Sequence, residues 1–184
     1  MNEPLIICLI GAECTGKTTL TRALAAHFDG LWVDEYLRTF CTERGRTPTR
    51  DEQALILETQ VSCEAEALAL ARRENKGFVF CDTAPLLTAI YSEFIFADSS
   101  LYRRAHELHS RYAMTLHLVP DIPWIADGIQ RDGAHARAPM QALIERELIG
   151  LGVPHAHITG VDDARIQAAI TALRDLASDR RCAG

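Results

Sequence analysis

The sequence predicts a three-layer α/β fold, in which helices cover both faces of a five-stranded parallel sheet. Two observations support this prediction. Short apolar runs alternate with segments of helical periodicity along the 184 residues, and a glycine-rich loop follows the first apolar run. Strands that alternate with helices form parallel sheets with right-handed crossovers. Because no repeat, linker or low-complexity segment interrupts the pattern, we expect a single domain covering residues 1–184.

The glycine-rich loop occupies residues 11–18 and fits the pattern G-x-x-x-x-G-K-[ST] completely. The apolar run of residues 5–10 before it predicts a buried strand, and apolar residues at helical spacing follow it, as this phosphate-binding motif requires. Backbone N–H groups and the positive helix end bind phosphate oxygens, while Lys17 reaches the β- and γ-phosphates. The Thr18 hydroxyl can ligate Mg²⁺. We therefore predict a P-loop kinase-like fold that binds ATP and Mg²⁺, with the sheet order 2-3-1-4-5 expected from fold analogy.

The later elements are predicted from the same periodicities. Strands are expected at residues 31–33, 78–81, 114–119 and 155–158. Helices are expected at residues 37–44, about 49–75, 85–94, about 100–111, 139–149 and 162–177. The second of these begins at Thr49 and Glu52, which form a capping-box pair. The tail at residues 179–184 is expected to be frayed. Gly45 and Gly77 are predicted to end two of these helices, because glycine favours the C-terminal cap.

Carboxylates follow two of the predicted strands, and the carboxyl edge of a parallel sheet is where ligands bind. Asp34 and Glu35 follow the second strand, and Asp82 ends the third in the manner of a Walker B strand. One carboxylate could accept a proton from an acceptor hydroxyl while another orders magnesium waters. The alternative is that they cap the following helices. Asp82 and Thr18 are the predicted magnesium ligands.

A polar segment without hydrophobic periodicity covers residues 128–138 and is predicted to be a mobile lid. Arg131 and Arg137 in this segment could stabilise a transferring phosphoryl group, or they could be solvated surface residues. Trp124 precedes the lid and is either a core residue or a stacking surface for a cationic ring. The residues predicted to bind ATP are Gly11, Glu13, Cys14, Thr15, Gly16, Lys17, Thr18, Thr19, Arg131 and Arg137.

With these motifs, the chain resembles a known family, the ribosylnicotinamide kinase domain of NadR-type proteins. Residues 11–18 are similar to the family's G-x-E-S-x-G-K-S/T loop. The similarity extends to Glu35-Tyr36-x-Arg38, to Asp82-Thr83 and to residues 123–128, which resemble the family's P-W-x-A-D-G-x-R segment. Together these motifs cover the chain from the first strand to about residue 160.

The resemblance implies ATP-dependent phosphorylation of the ribose 5′-hydroxyl of nicotinamide riboside. It implies Lys17, Glu35, Asp82 and Arg131 as catalytic residues. The implied substrate-binding residues are Glu35, Tyr36, Arg38, Asp82, Trp124 and Asp127. Two positions depart from the family pattern, since Cys14 replaces a serine and Arg131 lies one residue later. No counterpart of the NadR adenylyltransferase or DNA-binding parts is expected.

Two other functions fit the motifs. The first is that of a kinase for another nucleoside or nucleotide. If the acceptor carried a phosphate, four arginines could bind it: Arg38, Arg44, Arg46 and Arg50. Arg38 could equally pair with Glu35, one helical turn away. The second is that of an ATP-binding regulatory module that hydrolyses ATP slowly.

Composition restricts the partners. The formal net charge is −6 and no dense Lys/Arg run occurs, so a nucleic-acid partner is not expected. No signal peptide or bilayer-length apolar run is apparent, so we expect a cytoplasmic protein. The expected partner is a small nucleoside substrate, and a homo-oligomer is left open. Six cysteines without a C-x-x-C pair favour free thiols. The histidine pairs 106/109 and 155/157 lack a matching ligand set nearby, so no structural metal is expected.

Overall fold

A computed structural model describes residues 3–124 and 133–182 of the chain. The five predicted strands are β1 (Leu5–Ile10), β2 (Leu31–Val33), β3 (Phe78–Asp82), β4 (Met114–Leu118) and β5 (His155–Ile158). The helices are α1 (Lys17–His27), α2 (Tyr36–Arg44), α3 (Gln53–Arg73), α4 (Pro85–Phe96), α5 (Tyr102–His109), α6 (Arg137–Leu151) and α7 (Asp162–Cys182). Single 3₁₀ turns at Arg50–Glu52 and Ala134–Ala136 precede α3 and α6.

The strands form one parallel sheet in the order β2-β3-β1-β4-β5, which confirms the predicted topology. β1 lies at the centre between β3 and β4. Leu9 is paired with Asp82, and Ile10 is paired with His117. This register brings the loop after β1 and the carboxylate that ends β3 to the same edge of the sheet.

Alternate residues of β1 supply the two faces of the core. Ile7 and Leu9 pack with α1 and α7, and this layer includes Phe80. Ile10 faces the opposite layer, where apolar residues of α3, α4 and α6 meet it. The β1 strand is therefore apolar on both faces, as expected for a central parallel strand covered by helices.

Several helix boundaries differ from the sequence predictions. α6 begins at Arg137, two residues earlier than expected, and α7 continues through the tail that was expected to fray, to Cys182. No proline or glycine occurs between residues 161 and 183 to stop it. After α3, Asn75 rather than Gly77 adopts the left-handed backbone, with φ of 53°. Asparagine tolerates this conformation because its short side chain bonds locally.

Two predicted signals at helix ends are confirmed. Thr49 and Glu52 form the capping box, and Gly45 ends α2 with φ of 67°. The described cysteines are free thiols: Cys8, Cys14, Cys41, Cys63 and Cys81. Across residues 3–124 and 133–182, no helix combines the length and the hydropathy that crossing a bilayer requires.

Candidate active site

The loop between β1 and α1 depends on two glycines for different reasons. A Cβ at Gly11 would lie 2.8 Å from the Leu118 carbonyl oxygen and 2.9 Å from Thr15 Oγ1, so the loop is packed directly against the β4 backbone. Gly16 has room for a side chain, but its φ of 82° lies in the left-handed region, which favours glycine. Gly11 therefore permits close packing, and Gly16 permits the turn into α1.

The loop concentrates positive charge at the N-terminus of α1. Lys17 Nζ donates hydrogen bonds to the carbonyl oxygens of Gly11, at 3.0 Å, and Ala12, at 3.2 Å. Thr15 Oγ1 also donates to the Ala12 carbonyl, at 2.9 Å. The ammonium group and the positive end of the helix dipole thus lie together over the loop, which is the arrangement that binds phosphate groups.

Asp82 meets this loop from the end of β3. Thr18 Oγ1 donates a hydrogen bond of 2.5 Å to Asp82 Oδ2. Asp82 is only 1% exposed, and its other carboxylate oxygen, Oδ1, has no hydrogen-bond partner among the described residues. A buried carboxylate oxygen without a partner is costly unless it meets a cation or water. The donor set of a carboxylate and a hydroxyl fits Mg²⁺, a hard cation that prefers oxygen ligands.

The residue after Asp82 is backbone-strained. Thr83 has φ of 103°, a value that L-residues rarely adopt, and its N–H donates to the Leu9 carbonyl at 3.1 Å. This bond continues the β1–β3 pairing one residue beyond the strand, after which the chain turns into α4. Strain of this kind is retained where the surrounding structure fixes it, often beside functional groups. The sequence motif marked Thr83 but gave no indication of its backbone conformation.

Glu35 and Asp34 have different surroundings. Glu35 is the N-cap of α2. Its Oε2 lies 3.3 Å from Arg38 Nε, so the two residues form the ion pair that the sequence had offered as one possible role of Arg38. Asp34 forms an exposed ion pair of 3.1 Å with Arg22. Only Glu35 of these two carboxylates faces the cleft described below.

A cleft of about 830 Å³ runs along the carboxyl edge of the sheet. The residues that line it include part of the phosphate loop, with Glu13, Cys14 and Thr19, and also Glu35 and Arg38. Apolar and aromatic side chains of α4 also line it, namely Leu87, Tyr91, Ile95 and Phe96. The volume is that of a site for small-molecule ligands.

A smaller recess opens from the cleft beside Glu35 and is lined by Gln53, Gln60, Thr88 and Tyr91. We call it the amide recess. Both glutamines are buried on α3, with exposed fractions of 5% for Gln53 and 1% for Gln60. Sequence reasoning missed both residues. Glutamines on the buried face of an otherwise apolar helix are the signal that could have found them.

Gln60 links the recess to a buried polar network. Its Oε1 accepts a hydrogen bond of 2.9 Å from the Tyr36 N–H at the start of α2, and its Nε2 donates to Glu64 at 3.4 Å. Tyr112 donates to Glu64 at 2.8 Å, and Arg111 forms an ion pair with the same carboxylate. Burial raises the pKa of Glu64 to about 7, and the contacts from Arg111, Tyr112 and Gln60 offset only part of that effect. The network fixes the start of α2, beside Glu35.

Arg165 of α7 fastens the phosphate loop from the opposite side. It is 5% exposed, and its Nη1 donates to the Thr15 carbonyl at 2.5 Å. Its remaining N–H groups bond the Gly160 and Val119 carbonyls, at 2.7 and 3.2 Å, and pair with Asp121. One guanidinium thus joins the loop, the chain after β4 and the turn before α7. Sequence reasoning missed this residue, because 150 positions separate it from Thr15.

The predicted lid is only partly described. Arg131 and Asp127 lie outside the described residues, as do positions 125–132 in general. Arg137 starts α6, and its Nη1 donates to the Ile122 carbonyl at 2.9 Å. Ile122 and Pro123 line the cleft, whereas Trp124 is half-buried and is not among the described lining residues. The roles of these residues, like those of the other predicted site residues, stay predictions.

The fold and the phosphate loop together define the class of the protein: it is a P-loop nucleotide-binding protein. The sequence model of the AAA domain family matches residues 6–165, and the chain belongs to this family. No curated protein sequence matches the chain significantly.

Solved structures are similar to the chain at low sequence identity. The NadR protein in complex with NR has a TM-score of 0.78 at 20% identity, and the match covers 95% of this chain and 51% of that one. The NadR protein in complex with NAD and AMP-PNP has a TM-score of 0.79 at 20% identity, with 95% and 50% covered. This chain therefore spans about half the length of the NadR structures.

Two kinases match over their full length. Deoxyadenosine kinase from M. mycoides, with the products dCMP and dCDP bound, has a TM-score of 0.62 at 12% identity, covering 93% of this chain and 100% of that one. Thymidylate kinase from Ehrlichia chaffeensis has a TM-score of 0.67 at 14% identity, covering 94% and 100%. The predicted P-loop kinase-like fold and the predicted likeness to the NadR type are confirmed by these matches.

The anchoring role of Arg165 predicts a defect in both stability and nucleotide binding. Arg165→Met keeps the aliphatic volume but leaves Asp121 and several carbonyls without their donor, so the free energy of unfolding should fall by about 2–4 kcal/mol. The apparent Kd for ATP should rise at least about tenfold, because the Thr15 carbonyl is released. Urea unfolding and calorimetric titration measure the two effects. Arg174→Met, an exposed change on the same helix, is the control, and equal behaviour of the two variants would contradict the role.

The raised pKa of Glu64 predicts a pH-dependent stability. The folded state holds the proton more tightly than the unfolded state, so this contribution is present at low pH and is lost as the pH rises through about 7. The free energy of unfolding of the wild type, minus that of Glu64→Gln, should therefore fall by about 1–3 kcal/mol between pH 5 and 8. Urea unfolding across this range measures it. Glu58→Gln, which removes an exposed carboxylate whose pKa Arg104 lowers, should show no such fall.

Proposed function

We propose that the chain is an ATP-dependent kinase that transfers the γ-phosphoryl group of ATP to the ribose 5′-hydroxyl of nicotinamide riboside. The observation that carries this proposal is a cleft that is lined by both the phosphate loop and Glu35, and that shares Glu35 with the amide recess. Such a cleft can hold a triphosphate and a second small molecule end to end. The structural likeness to the NadR protein in complex with NR supports the choice of acceptor.

The donor end follows from the loop. Backbone N–H groups of residues 11–18 and the α1 dipole hold the phosphates, and the Lys17 ammonium balances charge on the β- and γ-phosphates. Thr18 and Asp82 would hold Mg²⁺, which supplies charge neutralisation on the phosphate oxygens when bound. Arg131 and Arg137 would complete the cationic surroundings from the lid.

We assign different roles to the carboxylates of Asp82 and Glu35. Asp82 accepts a hydrogen bond from Thr18, which favours the magnesium role, whereas Glu35 lines the cleft beside Arg38. The 5′-hydroxyl oxygen attacks the γ-phosphorus, the bond to the β–γ bridging oxygen breaks, and ADP leaves. The hydroxyl proton passes to the Glu35 carboxylate, which acts as general base. The sequence had left open which carboxylate performs this step.

The arginines after α2 favour a nucleoside over a nucleotide as the acceptor. Arg46 makes two hydrogen bonds to Glu52, at 2.7 and 2.8 Å, and Arg50 lies 3.3 Å from Asp51 and 3.7 Å from Asp98. Arg44 lies over the Phe40 ring, with its guanidinium carbon 5.8 Å from the ring centroid. Arginines that already have carboxylate partners would have to give them up to bind an acceptor phosphate.

The nicotinamide ring has two features that the cleft could recognise. Its positive charge would be favoured by the Glu35 carboxylate and by aromatic surfaces such as Tyr91 at the recess and Trp124 near the lid. Its carboxamide can exchange hydrogen bonds with a side-chain amide, and Gln53 supplies one at the wall of the recess. Tyr36, Arg38 and Asp127 would contact the remainder of the acceptor.

A second candidate function is phosphorylation of another nucleoside. The likeness to a deoxyadenosine kinase over that protein's full length, at 12% identity, supports the fold and is compatible with such an acceptor. The same loop, magnesium residues and Glu35 would serve that reaction, so the two candidates differ only in the recess. A regulatory ATPase is the third, and it predicts slow ATP hydrolysis that no small acceptor stimulates.

The first test is ADP release from Mg-ATP with a panel of acceptors. The panel contains nicotinamide riboside, nicotinic acid riboside, cytidine, uridine, deoxynucleosides, nucleoside monophosphates and no acceptor. Strong stimulation by nicotinamide riboside is expected, with the mononucleotide identified by mass spectrometry. Stimulation by a different nucleoside would select the second candidate, and a flat panel would select the ATPase. Lys17→Ala is the control for adventitious kinases, and its kcat should be at least about a hundredfold lower, or roughly 3 kcal/mol.

The assignment of the two carboxylates predicts different defects. Glu35→Gln should lower kcat by about 10²–10⁴-fold and should leave the dependence on magnesium concentration unchanged, because only the proton acceptor is lost. Asp82→Asn should raise the magnesium concentration needed for half-maximal rate by at least about tenfold, because it removes charge from the ligand set. Asp34→Asn, on the exposed neighbour of Glu35, is the matched control. A Glu35→Gln enzyme within about tenfold of the wild-type rate would refute the base assignment.

A further inference from the structure

A second group of ligand-type side chains lies between the β4–β5 edge of the sheet and α6. The side chains are His117 of β4, His157 of β5 and Glu145 of α6, and one ligand atom from each lies within 4.8 Å of the other two. We call this group the histidine cluster. None of these residues has a part in the proposed phosphoryl transfer.

The sheet register accounts for the proximity of the two histidines. His117 and His157 are direct neighbours across the parallel β4–β5 pair, so their side chains leave the sheet on the same face. Their ring centroids lie 5.0 Å apart. That face is the one covered by α6, because Leu116 and Leu118, which alternate with His117, pack on the opposite side.

The helix supplies the third side chain together with a supporting residue. Gln141 and Glu145 are four positions apart on α6 and so lie on the same helix face. Gln141 Oε1 lies 3.0 Å from His117 Nε2, and Gln141 Nε2 donates to Glu145 Oε1 at 2.9 Å. Gln141 thus orients both the buried histidine and the carboxylate, as an outer-sphere partner of metal ligands does.

His117 carries the independent indication of a ligand. It is completely buried, and its Nδ1 has no hydrogen-bond partner among the described residues. Since Nε2 donates its proton to Gln141, the ring's lone pair is on Nδ1. A buried polar atom without a partner calls for an explanation, and a cation provides one.

We propose that His117, Glu145 and His157 form a binding site for one Zn²⁺ ion at the edge of the sheet. Two imidazoles and a carboxylate are a donor set that Zn²⁺ accepts, with water as the fourth ligand. His157 is exposed, so ions and water can reach the site. Tetrahedral ligands at about 2.0 Å lie about 3.3 Å apart, so closure requires the side chains to approach by about 1.5 Å at most. The ion would fasten β4, β5 and α6 together.

The test is zinc binding by the full chain, purified with chelator and freed of it. Competition against a chromogenic zinc indicator should give one tight equivalent per chain. Zn²⁺ at a hundredfold excess over its Kd should raise the midpoint of thermal unfolding by about 5 °C. X-ray absorption of the loaded protein should show nitrogen and oxygen neighbours without sulfur, which excludes the cysteines as ligands.

Variants separate the histidine cluster from other zinc-binding groups. His157→Gln and Glu145→Gln, at accessible positions that folding tolerates, should each weaken zinc binding at least about tenfold and abolish the thermal shift. His155→Gln is the matched control, since this histidine lies on the same strand and face but bonds the Val153 carbonyl through Nδ1. His106→Gln removes a histidine that pairs with Glu147 only, and it should also bind like the wild type.

Three outcomes would overturn the proposal. They are no stoichiometric zinc at micromolar concentration, equal affinity in His157→Gln and His155→Gln, or sulfur neighbours in the absorption spectrum. Because the readouts are binding, thermal shift and spectroscopy, they do not depend on which acceptor the enzyme phosphorylates. The zinc site can therefore be confirmed or refuted independently of the proposed function.

Discussion

The close approach of the phosphate loop to the β4 backbone is the constraint on which the site depends. At Gly11 a single added carbon would contact the Leu118 carbonyl at 2.8 Å. This packing holds the loop at the centre of the sheet, where the carboxyl ends of β1 and β3 meet. Lys17 and Thr18 then start α1 in fixed positions, and Asp82 reaches Thr18 without any adjustment of the loop. The remaining parts of the cleft are arranged around this fixed point.

Two buried polar systems hold the phosphate loop and the start of α2 in place, and each joins distant parts of the chain. Arg165 holds the phosphate loop from α7, although no residue of α7 is among the described residues that line the cleft. Gln60 and Glu64 hold the start of α2 from α3, and they therefore bear on the position of Glu35. Polar groups are costly to bury, and here they are retained because they fix backbone segments that carry the site.

The different roles that we propose for Asp82 and Glu35 rest on the burial and the contacts of their carboxylates. Asp82 is buried against a hydroxyl and has an oxygen directed to no described protein group, which suits a metal ligand. Glu35 lies beside Arg38 within the cleft and suits proton transfer, while Asp34 is occupied on the surface by Arg22. The predicted set of three candidate carboxylates is thus reduced to two with separate proposed tasks. The proposed zinc site adds a further group of histidines and a carboxylate that neither task uses.

The sequence by itself determined the individual strands, the phosphate loop and the strand-end carboxylates, because each rests on local periodicity or on a contiguous motif. The strand order was expected from fold analogy only, and the structure confirms it. Helix ends were less accurate, since α7 continues beyond its predicted end where no glycine or proline stops it. Only the tertiary structure decided that Arg165 anchors Thr15, that Gln60 supports Tyr36, and that Glu145 joins two histidines from separate strands. These partners lie far apart in sequence, and no local pattern encodes which side chains a sheet register and a covering helix will bring together.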